Sequence, residues 1–93
     1  GDCALKFVDL GAYGVLDCGA YVTALLLALQ ARGVASIAMA AIAGVAPFVR
    51  ARYDIPADRD LLCGVALGYA DPEHPANGYR TDRADLSEVV DWR

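Results

Sequence analysis

The sequence predicts an α+β fold: a long apolar helix, a short second helix, a central strand and a C-terminal strand or arm, held in a single domain over residues 1–93. Three observations predict it. A chain of 93 residues supplies one domain at most. Residues 18–32 repeat apolar side chains at helical spacing with almost no charge. Residues 61–69 form an unbroken apolar run of strand length, which reads as a central strand covered on both faces.

The elements follow in order. Ala4 to Val8 reads as an extended entry, and Gly11-Ala12-Tyr13-Gly14 as a turn. Asp17 stands where a helix cap would, ahead of a helix from Cys18 to Arg32 carrying Ala20, Ala24, Ala28 and Leu25, Leu26, Leu27 and Leu29. That helix is apolar nearly all round, the mark of burial in a larger body or in an oligomer interface. Gly33 is suited to end it in a left-handed conformation. Residues 34–41 are a short apolar crossing. A second helix is expected from Ile42 or Ala46 to Tyr53, with Pro47 in its first turn. Residues 54–60 form a polar turn, 70–83 a loop rich in Pro and Asp, and Leu86 to Trp92 a short terminal strand or arm.

Composition narrows the function. Eight Lys and Arg against twelve Asp and Glu give a net charge of −4, so no broad cationic surface exists for a nucleic acid. The charge is uneven: residues 1–53 carry four basic and three acidic groups, residues 54–93 four and nine. An apolar share of 57% and a mean hydropathy of +0.35 are high for so small a soluble monomer, so part of this surface is expected to meet another chain. From Cys18 to Val49 only Arg32 is charged. The apolar stretches 18–29 and 33–49 fall short of the roughly 20 residues a spanning helix needs, so no membrane span is expected. Cys3, Cys18 and Cys63 are too few and too scattered for a disulfide framework or zinc site. They read as reduced thiols of a cytoplasmic protein, and the opening residues lack the pattern of a secretion signal.

Catalytic chemistry is sparse. His74, the sole histidine, lies in Asp71-Pro72-Glu73-His74-Pro75 and reads as a solvated or turn-bonding imidazole. Neither Ser36 nor Ser87 sits in a nucleophile elbow, and no phosphate-binding glycine loop is present. Metal ligands are not expected, and no catalytic residue can be named. Arg80 and Arg83 remain. Two planar guanidinium groups three residues apart can close on one phosphate, although Asp82 and Asp85 beside them offer the alternative of surface ion pairs.

Several stretches together carry a resemblance: Leu16-Asp17-Cys18-Gly19-Ala20-Tyr21, Ala31-Arg32-Gly33-Val34-Ala35-Ser36-Ile37, Pro47-Phe48-Val49-Arg50, Tyr53-Asp54-Ile55-Pro56-Ala57-Asp58, Cys63-Gly64-Val65-Ala66-Leu67-Gly68-Tyr69-Ala70-Asp71-Pro72 and Asn77-Gly78-Tyr79-Arg80-Thr81-Asp82-Arg83-Ala84. In this order and spacing they resemble the C-terminal half of the nitroreductase family of FMN-dependent oxidoreductases, from about Leu10 to Arg93. The resemblance implies two subunits entwined around a long central helix, with FMN at their interface passing hydride from NADH or NADPH to a nitroaromatic or quinone. It implies that Arg83, helped by Arg80, grips the FMN phosphate. It also places Ala38, Met39, Ala40 and Ala41 along the flavin ring, where small side chains let backbone N–H groups approach; Met39 departs from the polar residue expected there. The family's N-terminal half has no counterpart, so the chain is expected to be an incomplete oxidoreductase, inactive alone. Its expected partners are a second copy, through the helix near Ala20 to Leu29, and a complementary N-terminal chain. The alternative is a non-catalytic interaction module that binds another chain and no cofactor.

Overall fold

The computed structural model describes residues 2–7, as backbone only, and residues 11–93. In chain order they form β1 (Asp2–Phe7), α1 (Gly11–Ala31), β2 (Ala35–Met39), a 3-10 turn (Ala40–Val45), α2 (Ala46–Tyr53), β3 (Arg59–Gly68), a second 3-10 turn (Pro75–Asn77) and α3 (Leu86–Val89). The three strands make one sheet in the order β1-β3-β2, both pairings antiparallel. The apolar run around residues 61–69 is thus the central strand, as its composition predicts. The entry segment is also a strand, although Val8 lies outside the described residues.

The long helix differs from expectation at its start. It begins at Gly11 rather than beyond Asp17, and the Gly-Ala-Tyr-Gly stretch read as a turn is its first turn. Gly14 is the buried residue of α1, and Cys18, Val22, Leu25 and Leu29 continue its line as half-buried positions. Their spacing of three and four residues defines the face turned inward. Asp17, away from that line, is exposed and does not cap. The length argument against a membrane span therefore fails, because a helix of 21 residues is long and apolar enough to cross one. At the other end, Gly33 takes φ 74°. The N–H of Val34 then reaches the Leu29 carbonyl and that of Gly33 the Gln30 carbonyl, both at 3.0 Å, satisfying carbonyls the helix leaves open.

β3 is covered from both sides. Ala38, Leu62 and Cys63 line a groove with Val15, Cys18, Gly19, Val22, Thr23 and Leu26 of α1, whereas a Cβ added to Gly64 would meet Ile42 of the 3-10 turn. Side chains of adjacent strand residues point to opposite faces, so α1 and the turn flank the sheet. Leu62 joins Cys63 on the α1 side because the β1 register jumps there, with Ala4 opposite Cys63 but Leu5 opposite Leu61, the irregularity of a β-bulge. Val49, Leu61 and Val65 are the buried apolar residues among those described.

α2 starts at Ala46, the later of the two expected positions, with Pro47 in its first turn, and stops at Asp54, which is left-handed at φ 56°. Arg50 fastens it to β3. Its Nη1 donates to the Pro56 carbonyl at 3.2 Å, its Nη2 to the Arg59 carbonyl, and Nη2 lies 3.9 Å from the Asp60 carboxylate. The segment read as a terminal strand or arm holds one helical turn, Leu86–Val89, and continues as an arm. It pairs with no strand of the sheet.

The shape is open. The accessible surface is 7585 Å², where a compact monomer of 9.8 kDa exposes about 5,200 Å². The radius of gyration is 16.0 Å, against about 13 Å for a compact domain of 100 residues.

Candidate functional site

Ala38 and Met39 close β2, and Ala40 and Ala41 open the 3-10 turn that follows. The three alanines are exposed and Met39 is half-buried. Met39 pairs in register with Gly64 of the central strand. No side chain caps the turn, since Met39 at its head makes no capping hydrogen bond. The four residues therefore run from the end of the edge strand β2 into the turn as a strip on which Ala38, Ala40 and Ala41 carry only methyl groups.

The strip is held from behind. Ile42, one residue beyond it, sits on Gly64 so closely that a Cβ built there would lie 2.8 Å from Ile42 Cγ1 and 3.4 Å from Ile42 Cβ. These two residues carry no chemistry, and nothing in the sequence singles them out. Their pairing depends on the fold bringing positions 22 residues apart into contact, and the sole local signal was a glycine inside an apolar strand.

Arg80 and Arg83 lie in the exposed segment after the second 3-10 turn. Arg80 Nη1 donates to the Tyr79 carbonyl at 3.1 Å. Arg83 Nη1 donates to the Thr81 hydroxyl at 2.6 Å and approaches the Thr81 and Asp82 carbonyls at 3.3 and 3.1 Å. The alternative of ion pairs with Asp82 and Asp85 is not realised: among the described residues Arg50 pairs with Asp60 and Arg93 with Asp91. Both guanidinium groups keep N–H donors turned to solvent. No hydrogen bond or ion pair among the described residues joins the arginines to the 38–41 strip.

The loop leading to the arginines is shaped by its own side chains. The Asp71 carboxylate accepts the Glu73 N–H at 2.9 Å, the Asn77 amide donates to the Asp71 carbonyl at 2.7 Å, and His74 Nδ1 accepts the Ala76 N–H at 3.1 Å. His74 is thus the turn-bonding imidazole its neighbourhood suggested. Asn77 also borders an open cleft of about 340 Å³ against Ser36, Leu67, Gly68 and Tyr69. Cys18 and Cys63 are half-buried, and the side chain of Cys3 lies outside the described residues. Among the described residues no cluster of three metal-ligating side chains occurs.

Comparison with known proteins places this arrangement. The nitroreductase family pattern matches residues 9–69. The chain is 38% identical over 76 residues to a 4-nitrobenzoate reductase of Nocardioides sp. (strain LMS-CY), a match covering 82% of the chain and 31% of that protein. It is 43% identical over 74 residues to the nitroreductase NfnB of Mycolicibacterium smegmatis, covering 80% and 31%. Among solved structures, it superposes on the FMN and NADPH-dependent nitroreductase NfnB of Sphigopyxis sp. strain HMH with a TM-score of 0.90 at 31% identity, over 96% of the chain and 40% of that structure. The chain thus spans about a third of the length of the curated relatives it matches. With a family match over most of its length and an apolar helix packed on a sheet whose central strand the match includes, this chain belongs to the nitroreductase family.

Proposed function

We propose that the chain is the C-terminal part of an FMN-dependent oxidoreductase, residues 1–93 forming one domain of it, which contributes the phosphate grip and one side of the flavin site. The observation that carries this reading is the superposition at TM-score 0.90 on an FMN and NADPH-dependent nitroreductase, joined to two matching features in this chain. In the strip 38–41, Ala38, Ala40 and Ala41 have small side chains, and no side chain caps the turn that follows Met39, as close approach of the backbone to a flat ring requires. Arg80 and Arg83 keep donors free of carboxylate partners among the described residues, as a phosphate requires. When bound, FMN supplies the relay of hydride from NADH or NADPH to a nitroaromatic or quinone. The chain's own part is to bind and orient: Arg83 and Arg80 hold the phosphate, and the N–H groups of Ala40 and Ala41, with Ala38 and Met39 before them, lie along the ring. Positioning and electrostatic tuning are what a protein contributes to flavin chemistry.

The outward face of α1 carries Tyr13, Leu16, Tyr21 and Leu27 at 65–78% exposure, and this face is proposed to join two copies. The remaining sites would come from the family's N-terminal half, as a complementary chain or segment. The reading keeps the protein cytoplasmic: α1 lays one face on a sheet, and Asp17 interrupts the other. Nucleic acid is not among the proposed partners.

The same exposed apolar face favours a second reading, a non-catalytic module that binds another chain and no cofactor. Titration with FMN and with riboflavin separates the two. Preference for FMN and the yellow absorbance of bound flavin support the first reading. Equal binding of the two overturns the phosphate grip, and binding of neither leaves the interaction module.

A further inference from the structure

We propose that Gly64 is a positioning residue for the flavin-facing strip: the missing side chain in the middle of β3 is the seat into which Ile42 locks, and this seat sets where the Ala40 and Ala41 backbone lies. The inference rests on the flavin reading for its consequence, though its geometry stands on the fold alone.

Gly64 pairs with Met39 on one neighbour and with Cys3 on the other, so its own backbone is fixed from both sides. Above it, Ile42 fills the space a Cβ would take, with Cγ1, Cβ and Cγ2 at 2.8, 3.4 and 3.5 Å from that position. Two of these atoms branch from a carbon next to the backbone and cannot swing aside as a long side chain can. A methyl group on Gly64 therefore moves the backbone at Ile42, not merely the tip of its side chain. Ala40 and Ala41 are the two preceding residues of the same turn, and they move with it. Gly68, in the same strand, has nothing within 4 Å of its Cβ position, so a methyl group there leaves the turn untouched.

The test uses Gly64→Ala, Gly68→Ala, and Gly64→Ala combined with Ile42→Ala, which removes both crowding γ-carbons. In the flavin-free chain, the backbone amide resonances of Ala40 and Ala41 should shift in Gly64→Ala, stay in place in Gly68→Ala, and return in the double variant. Unmoved resonances in Gly64→Ala, or shifts that the double variant keeps, overturn the positioning role whether or not flavin binds. With FMN added, Gly64→Ala should bind at least about tenfold more weakly, since a site displaced by about 1 Å loses much of its function, and the double variant should recover most of this. Lost affinity without recovery marks a merely structural fault and overturns the proposal. A wild-type chain that binds no FMN, while the amides shift and return as described, overturns the flavin reading and the cofactor consequence, leaving the mechanical seat standing.

Discussion

At the scale of single residues, the two arginines of the proposed phosphate grip differ in how firmly they are held. Arg83 is already oriented by Thr81, whose hydroxyl and carbonyl both accept from Nη1, whereas Arg80 touches only the carbonyl of its neighbour. A donor held in place loses less freedom on binding. Arg83→Ala is expected to weaken FMN more than Arg80→Ala, by about 1.5–3 kcal/mol or roughly tenfold and upward, as read from flavin fluorescence titrations of the two variants. Equal losses would mean that the Thr81 contact does not preorganise the grip. The arginine pair was legible in the sequence because its spacing is local and its chemistry specific. Gly64 and Ile42 were not, because each is ordinary in its own segment and significant through a contact that the antiparallel pairing of β2 with β3 creates.

At the scale of elements, α1 shows how composition hides direction. Residues 18–32 are so uniformly apolar that no inward face can be picked from the sequence, and Gly11 and Gly14 suggest a turn by their local preference. Packing decides otherwise. Gly14 is buried, so the residue that weakens an isolated helix begins its line of contact with the rest of the fold. The contacts also separate two neighbours that look interchangeable. Leu26 borders the groove beneath the helix, while Leu27 is 67% exposed on the outside. Leu27→Asp should weaken the proposed joint between two copies, placing an unpaired carboxylate in it at a cost of about 3–5 kcal/mol, so that helix content is lost on dilution and regained on concentration. Leu26→Asp should instead damage the fold itself. Circular dichroism and light scattering on the pair distinguish the two effects, and an oligomer that survives Leu27→Asp would place the joint elsewhere. The central strand was easier to read than the helix start, since the sheet's centre needs apolar side chains on both faces, but Arg59 and Asp60, read as turn, open β3, and the crossing at 34–41 holds β2.

At the scale of the whole molecule, the surface is roughly 2,400 Å² larger than a compact chain of this mass would show. Obligate interfaces have areas of this order. On the proposed flavin reading the same openness would limit catalysis, because a flavin held by its phosphate and by one strip of backbone could rock. With saturating FMN and NADPH, the isolated chain is expected to reduce nitroaromatics no faster than free FMN. A turnover well above that background and abolished by Arg83→Ala would make this chain a working enzyme by itself. The small core carries a separate consequence, in mass action. Val49, Leu61 and Val65 are the buried apolar side chains among the described residues, so in the proposed assembly much of the burial that would hold the native state comes from a second molecule. Folding and association are then a single equilibrium, in which protein concentration acts as a stabilising ligand does. The thermal midpoint should climb steadily as the sample is concentrated, and dilution alone should unfold the chain at constant temperature.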